Sequence, residues 1–214
     1  MNEISGFAML QQIRTNMSRN GMRGLLLASA VLLSSCALVG GGPKPLDTYD
    51  LSAPDGGSDR SGGRVQILVA EPSALKSLDS VNIVIKPKPD AIEYLGGAQW
   101  SDRLPKVIQA RLAEAFQKSG SFGGVGKPGE GLAIDYQIVT EIRAFDVRVD
   151  GGQRAHVELF VRILKDRNGS VRAVRSFIAD APLTGQGNDA YVAALDRAFN
   201  EVTREIVDWA EKIT

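Results

Sequence analysis

The chain carries one cysteine and one histidine in 214 residues. A single thiol excludes an intramolecular disulfide, so the fold must hold itself together by packing. A single imidazole, His156, cannot supply a metal cluster, and no strained serine turn accompanies it to build a Ser-His-Asp arrangement. Net charge is missing as well: 25 basic and 25 acidic residues balance. Nucleic-acid binding, which needs clustered Lys and Arg, therefore has no electrostatic support. No apolar run approaches the roughly 20 residues that a membrane-spanning helix requires. The glycines of 122–130 precede no helix and are followed by no Lys-Ser/Thr pair, which makes that stretch a surface loop and not a phosphate cradle. The carboxylates are scattered, with Asp135, Glu141 and Asp146 read as solvated, and paired acid/base work has no positional support. His156 falls on the polar side of its strand beside Glu158 and reads as a solvated surface residue. Catalysis, metal ligands and a dissociable cofactor are not expected.

What is present begins with residues 25–36, Leu-Leu-Leu-Ala-Ser-Ala-Val-Leu-Leu-Ser-Ser-Cys, led by Arg14, Arg19 and Arg23 with no acidic residue between Arg14 and Cys36. A basic lead, an apolar run of about ten residues and small residues before a cut site make a secretory signal peptide. Residues 1–35 are expected to be removed, and translation starts at Met1, Met17 or Met22. Leu33-Ser34-Ser35-Cys36 resembles a bacterial lipobox, in which the cysteine is acylated and becomes the first mature residue. The plainer alternative is a free or buried cysteine in an ordinary secreted protein. Two or three acyl chains on Cys36 would anchor firmly where one binds only marginally. Ala37 stands where an inner-membrane retention signal often places Asp, so resemblance to sorted lipoproteins favours the outer membrane, facing the periplasm. Loss of the leader leaves two more acidic than basic residues.

Residues 36–63 are rich in Gly, Pro and Ser and read as a lipidated, flexible tether. Within it, 46–51 reads equally as linker or as a docked first strand. Residues 64–214 make one α+β domain. Strands are expected at 64–70, 81–85 and 91–95, with Gly96-Gly97 turning the chain. Trp100 opens a helix capped by Ser101, with Pro105 in its first turn and Gly120 at its end. Residues 132–149, 155–165 and 171–181 alternate as three long strands, joined by turns at Asp150-Gly151-Gly152 and Asp166-Arg167-Asn168-Gly169. They predict an antiparallel meander covered on one face by two helices. The second helix is capped by Asn188 or Asp189 and carries an apolar stripe from Val192 to Ile213.

A sheet with helices on one face should be polar on the other. Val139, Phe145 and Val147 break the polar side of the first long strand, Phe160 that of the second, and Val174 and Ile178 that of the third. Either they lie under the N-terminal strands or they form a docking surface for another chain. Phe145, Val147, Phe160, Val174 and Ile178 are the candidate docking residues.

The order of parts resembles the ABC-type transport auxiliary lipoproteins, which include the paraquat-inducible C protein and auxiliary components of MCE-type importers. The likeness rests on the lipobox at Cys36, Tyr49-Asp50-Leu51, the 65–72 strand, Ile92-Glu93-Tyr94, and Trp100 ahead of Leu104-Pro105. The meander and terminal helix complete it. The Lys86-Pro87-Lys88-Pro89 stretch departs from the pattern. The resemblance implies an envelope-anchored accessory subunit, without a cofactor beyond its own acyl chains. Its implied partners are an MCE-domain protein, a permease and an ATPase that move phospholipid or other hydrophobic molecules. A homo-oligomer is also implied. The alternatives are an outer-membrane assembly scaffold and a hydrolase of unfamiliar design.

Overall fold

In the computed structural model, residues 45–55 and 63–214 are described; the signal and lipobox residues, Leu33 to Cys36 included, lie outside them. β7 (Tyr136–Arg148) is the axis of the sheet. One of its edges takes three short strands end to end, all parallel: β2 (Gln66–Val69), β3 (Ser73–Ala74) and β4 (Asn82–Lys86). Its other edge pairs antiparallel with β8 (Arg154–Lys165), and β8 pairs with β9 (Val171–Pro182). Beyond β4 lie β5 (Glu93–Trp100) and then β1 (Asp47–Tyr49), and beyond β2 lies β6 (Gly124–Gly126). The meander expected from the turn signals is present as β7–β8–β9. Among the described residues the sheet has nine strands and is mixed, a correction to the purely antiparallel expectation. β2 and β4 fall where alternation predicts strands, at 64–70 and 81–85, but local alternation does not specify their parallel pairing with β7.

Helix α1 (Leu104–Ser119) packs on β2 and β6, and helix α2 (Asn188–Ile213) lies along β8 and β9. The two helices touch, and their apolar stripes join the inner sheet residues in one core. α1 starts two residues later than Ser101 would set it, with Arg103 as its N-cap. Trp100 is held in β5 by its N–H donating to the Val81 carbonyl at 2.8 Å, so the chain cannot turn helical until Arg103. Pro105 then stands in the first turn, and Gly120 ends the helix at φ 66°, the left-handed conformation that favours glycine. Gly96 and Gly97 lie inside β5 and do not reverse the chain. They absorb an irregularity opposite β4, where Asn82 faces Gln99 but Val84 faces Tyr94, and Gly97 takes φ 75°.

A second bulge decides which side chains enter the core. Between Ile142 and Ala144 the register of β7 against β8 slips by one. Before it, Ile138 and Ile142 point inward; after it, Phe145 and Val147 do. A one-residue insertion exchanges the two faces of everything beyond it. Phe145 packs edge-on to Trp100 with centroids 5.8 Å apart, and against Phe199 of α2 at 6.1 Å. Trp100 is thus a core residue that joins β5 to the rest.

A strapped amino-terminal segment and a candidate docking surface

Residues 49–52 are stitched to both helices. The Tyr49 hydroxyl donates to Asp189 Oδ1 at 2.7 Å. Asp50 Oδ2 accepts from Arg111 of α1 at 2.8 Å, and that bond is the main reason the guanidinium is pushed above its ordinary pKa. Leu51 is buried in the core. The Ser52 N–H and hydroxyl each donate to Asp196 at 2.7 Å, while the Asn200 amide donates to the same hydroxyl at 2.8 Å. The stretch that reads equally as linker or strand is therefore a strand followed by a strap. Neither Asn188 nor Asp189 caps α2: the N-cap is Gly187, and Asn188 donates to the Gly96 carbonyl at 3.1 Å. Both residues instead fasten the N-terminal strands to the start of the helix.

The strap has a pH signature. The bond to Asp189, with a smaller contribution from desolvation, pushes the Tyr49 phenol up to about 12. The folded state thus prefers the protonated phenol, and its contribution is whole below the ordinary tyrosine pKa near 10 and disappears as pH rises to about 12. Denaturation midpoints across that window should fall more for the natural protein than for Tyr49→Phe. Equal slopes would show that the bond contributes nothing.

The structure divides the five candidate docking residues. Phe145 is 1% exposed and Val147 is fully buried, so neither belongs to a surface; the bulge after Ile142 turned them inward. Val174 and Ile178 are each 52% exposed on the outer face of β9. Phe160 is half-buried on the outer face of β8, with the Arg143 guanidinium 4.0 Å from its ring centre. Phe160 pairs with Ser176, and its neighbours Glu158 and Arg162 pair with Ile178 and Val174. These three side chains share one patch with Arg143 and Glu158, which approach to 3.7 Å.

Further along the same face lies an ionic cluster that the sequence did not reveal. Asp146, 1% exposed, is reached by Arg148 Nε at 3.1 Å and Lys86 Nζ at 4.0 Å. His156, 7% exposed, sets Nδ1 2.9 Å from Asp180 Oδ1, which Arg154 Nε approaches at 3.4 Å. Asp146 and His156 are therefore not the solvated residues that strand alternation suggested. Polar identity misled, because the pairing of β4 alongside β7 places Val84, Asp146 and His156 in one sheltered row. Asp135 is engaged as well, its Oδ2 accepting from the Gln66 N–H at 2.8 Å, and Glu141 pairs with Arg143 at 3.3 Å.

Two open hollows accompany these features. One of about 450 Å³ is rimmed by Arg64, Lys165 and Arg167 over Val65 and Tyr136. The other, about 420 Å³, lies between the strap and Arg197 and Arg204 of α2. Among the described residues no group of three or more His, Cys, Asp or Glu side chains is placed to hold a metal, and no helix is long and apolar enough to cross a membrane.

A family model described as the ABC-type transport auxiliary lipoprotein component matches residues 49–207, from the strap through most of α2. The crystal structure of a Xanthomonas campestris protein of family DUF330 superposes with TM-score 0.71 at 26% identity, covering 78% of this chain and 95% of that one. A crystal structure of an uncharacterized protein superposes with TM-score 0.61 at 14% identity, covering 78% and 99%, which speaks to the fold alone. In sequence, an uncharacterized protein of Bradyrhizobium diazoefficiens is 30% identical over 174 residues, 79% of this chain and 46% of that protein. The chain thus spans about half the length of that curated relative.

Proposed function

The chain belongs to the ABC-type transport auxiliary lipoprotein family, and from that premise we propose that it is the envelope-anchored accessory subunit of an MCE-type lipid transporter. The observation that carries the reading is the match over residues 49–207, which runs from the strap through nearly all of the sheet, α1 and most of α2. The family is a transport accessory and not an enzyme family. The part assigned to this chain is positional. Acyl chains on Cys36 hold the domain at the periplasmic side of the outer membrane. Residues before the strap set how far it reaches. The apolar patch around Phe160, Val174 and Ile178 is suited to protein contact. Partner subunits bind and move phospholipid or another hydrophobic cargo, and ATP is hydrolysed on them.

Affinity purification of the full-length chain from detergent-solubilised envelopes tests this. MCE-domain and permease subunits should be recovered with it in amounts comparable to the bait. Recovery of outer-membrane assembly factors alone would replace the transport reading with that of a scaffold.

A further inference from the structure

We propose that the free edge of β9 is a site for a second copy of this chain, pairing antiparallel about a two-fold axis at Ser176. β9 is 12 residues long and, among the described residues, pairs only with β8. An exposed edge of that length, flanked by exposed apolar side chains, is a template for another strand. Such edges are commonly protected by charge, and here the charges select a partner.

Antiparallel self-pairing must place outward residues opposite outward residues, so the axis passes through a residue of the strand. With the axis at Ser176, Val174 of one copy faces Ile178 of the other. The same register sets Arg172 opposite Asp180. Both apolar residues are half exposed, and Arg172 is exposed at the bulge where β9 begins. Shifting the axis one residue toward the N-terminus opposes Arg172 to Ile178. Shifting it the other way opposes Asp180 to Val174. Ser176 is thus the centre that satisfies the apolar pair and the charged pair together, and symmetry makes each pair twice. On the inner face Arg175 would face Phe177. Arg175 already pairs with Glu205 at 3.4 Å and lies 4.7 Å from its own Phe177 ring centre, so no bare cation enters that row. Asp180 keeps its contact with His156 and retains a second oxygen for the incoming guanidinium.

Ser176→Cys in the full-length chain tests this in isolated envelopes under mild oxidation. Residues opposite one another in antiparallel strands have Cα atoms about 4.5–5.5 Å apart, within the range of a disulfide. A covalent dimer is expected from Ser176→Cys. Val174→Cys and Ile178→Cys should each give little alone and a dimer when co-expressed. Purified in excess detergent micelles, the natural chain should sediment as a dimer. Arg172→Asp should weaken it about tenfold, and Arg172→Asp with Asp180→Arg should restore it. Circular dichroism would show each variant folded. A monomer with no crosslink at Ser176 overturns the proposal. So does self-linking at Val174 as readily as at Ser176, or a crosslink from Ser176 to a different protein.

Discussion

Phe145→Ala should lower the free energy of unfolding by about 3–5 kcal/mol, the cost of emptying a core aromatic site. Its ring lies between Trp100 and Phe199, joining β5, β7 and α2, and those neighbours belong to separate elements that cannot all collapse into the gap. Phe160→Ala provides the contrast. That ring is on the other face, half-buried, with Arg143 above it, so its loss should cost only about 1–2 kcal/mol. The midpoint of urea denaturation for the two variants decides the matter. Equal costs would mean that the bulge after Ile142 does not exchange the faces of β7.

Cys36→Ser should move the protein from the pelleted membrane fraction to the soluble fraction almost completely. One acyl chain gives only marginal, reversible binding, and firm anchoring takes at least two. With the thiol gone no chain is attached, and the described domain offers no apolar helix to take over. Cys36 is the sole cysteine of the chain, and the core side chains of the described domain come from residues 49–213. The denaturation midpoint should therefore be unchanged. Together these outcomes separate loss of an anchor from loss of fold. A variant that still pellets after a high-salt, alkaline wash, or an unmodified natural thiol in mass spectrometry, would remove the basis of the positional role.

The sequence disclosed those parts of the fold whose signals are local. α1 and α2 follow from their apolar spacing and from Pro105 and Gly120; β7, β8 and β9 follow from alternation between two glycine-bearing turns. What it concealed depends on contacts far apart in the chain. The tandem docking of β2, β3 and β4 on β7 spans more than 60 residues; alternation marks β2 and β4 as strands but names no partner for them, and the two residues of β3 leave no pattern. Phe145 and Val147 were misplaced because a bulge has no fixed sequence signature: Arg143 looks like any other outward residue. His156 and Asp146 were misplaced for a related reason, since neighbouring strands can shelter the polar side of a sheet as well as the apolar side. Residues 49–52 were closer to legible. Tyr49-Asp50-Leu51 carries the family resemblance, yet its partners Arg111, Asp189 and Asp196 could only be found in space.

The tandem arrangement along β7 also constrains the order in which the molecule can take shape. The β7–β8–β9 hairpins close over short loops, but β2, β3 and β4 precede the strand they need and cannot complete their pairing until residue 148 has been made. For a chain that emerges amino end first, the early strands must wait, their backbone groups bonded to water, for a template that follows β2, β3 and β4 in the chain. A polypeptide threaded across a membrane before folding meets that condition without difficulty, since β7 and the strands that need it are then delivered before pairing begins.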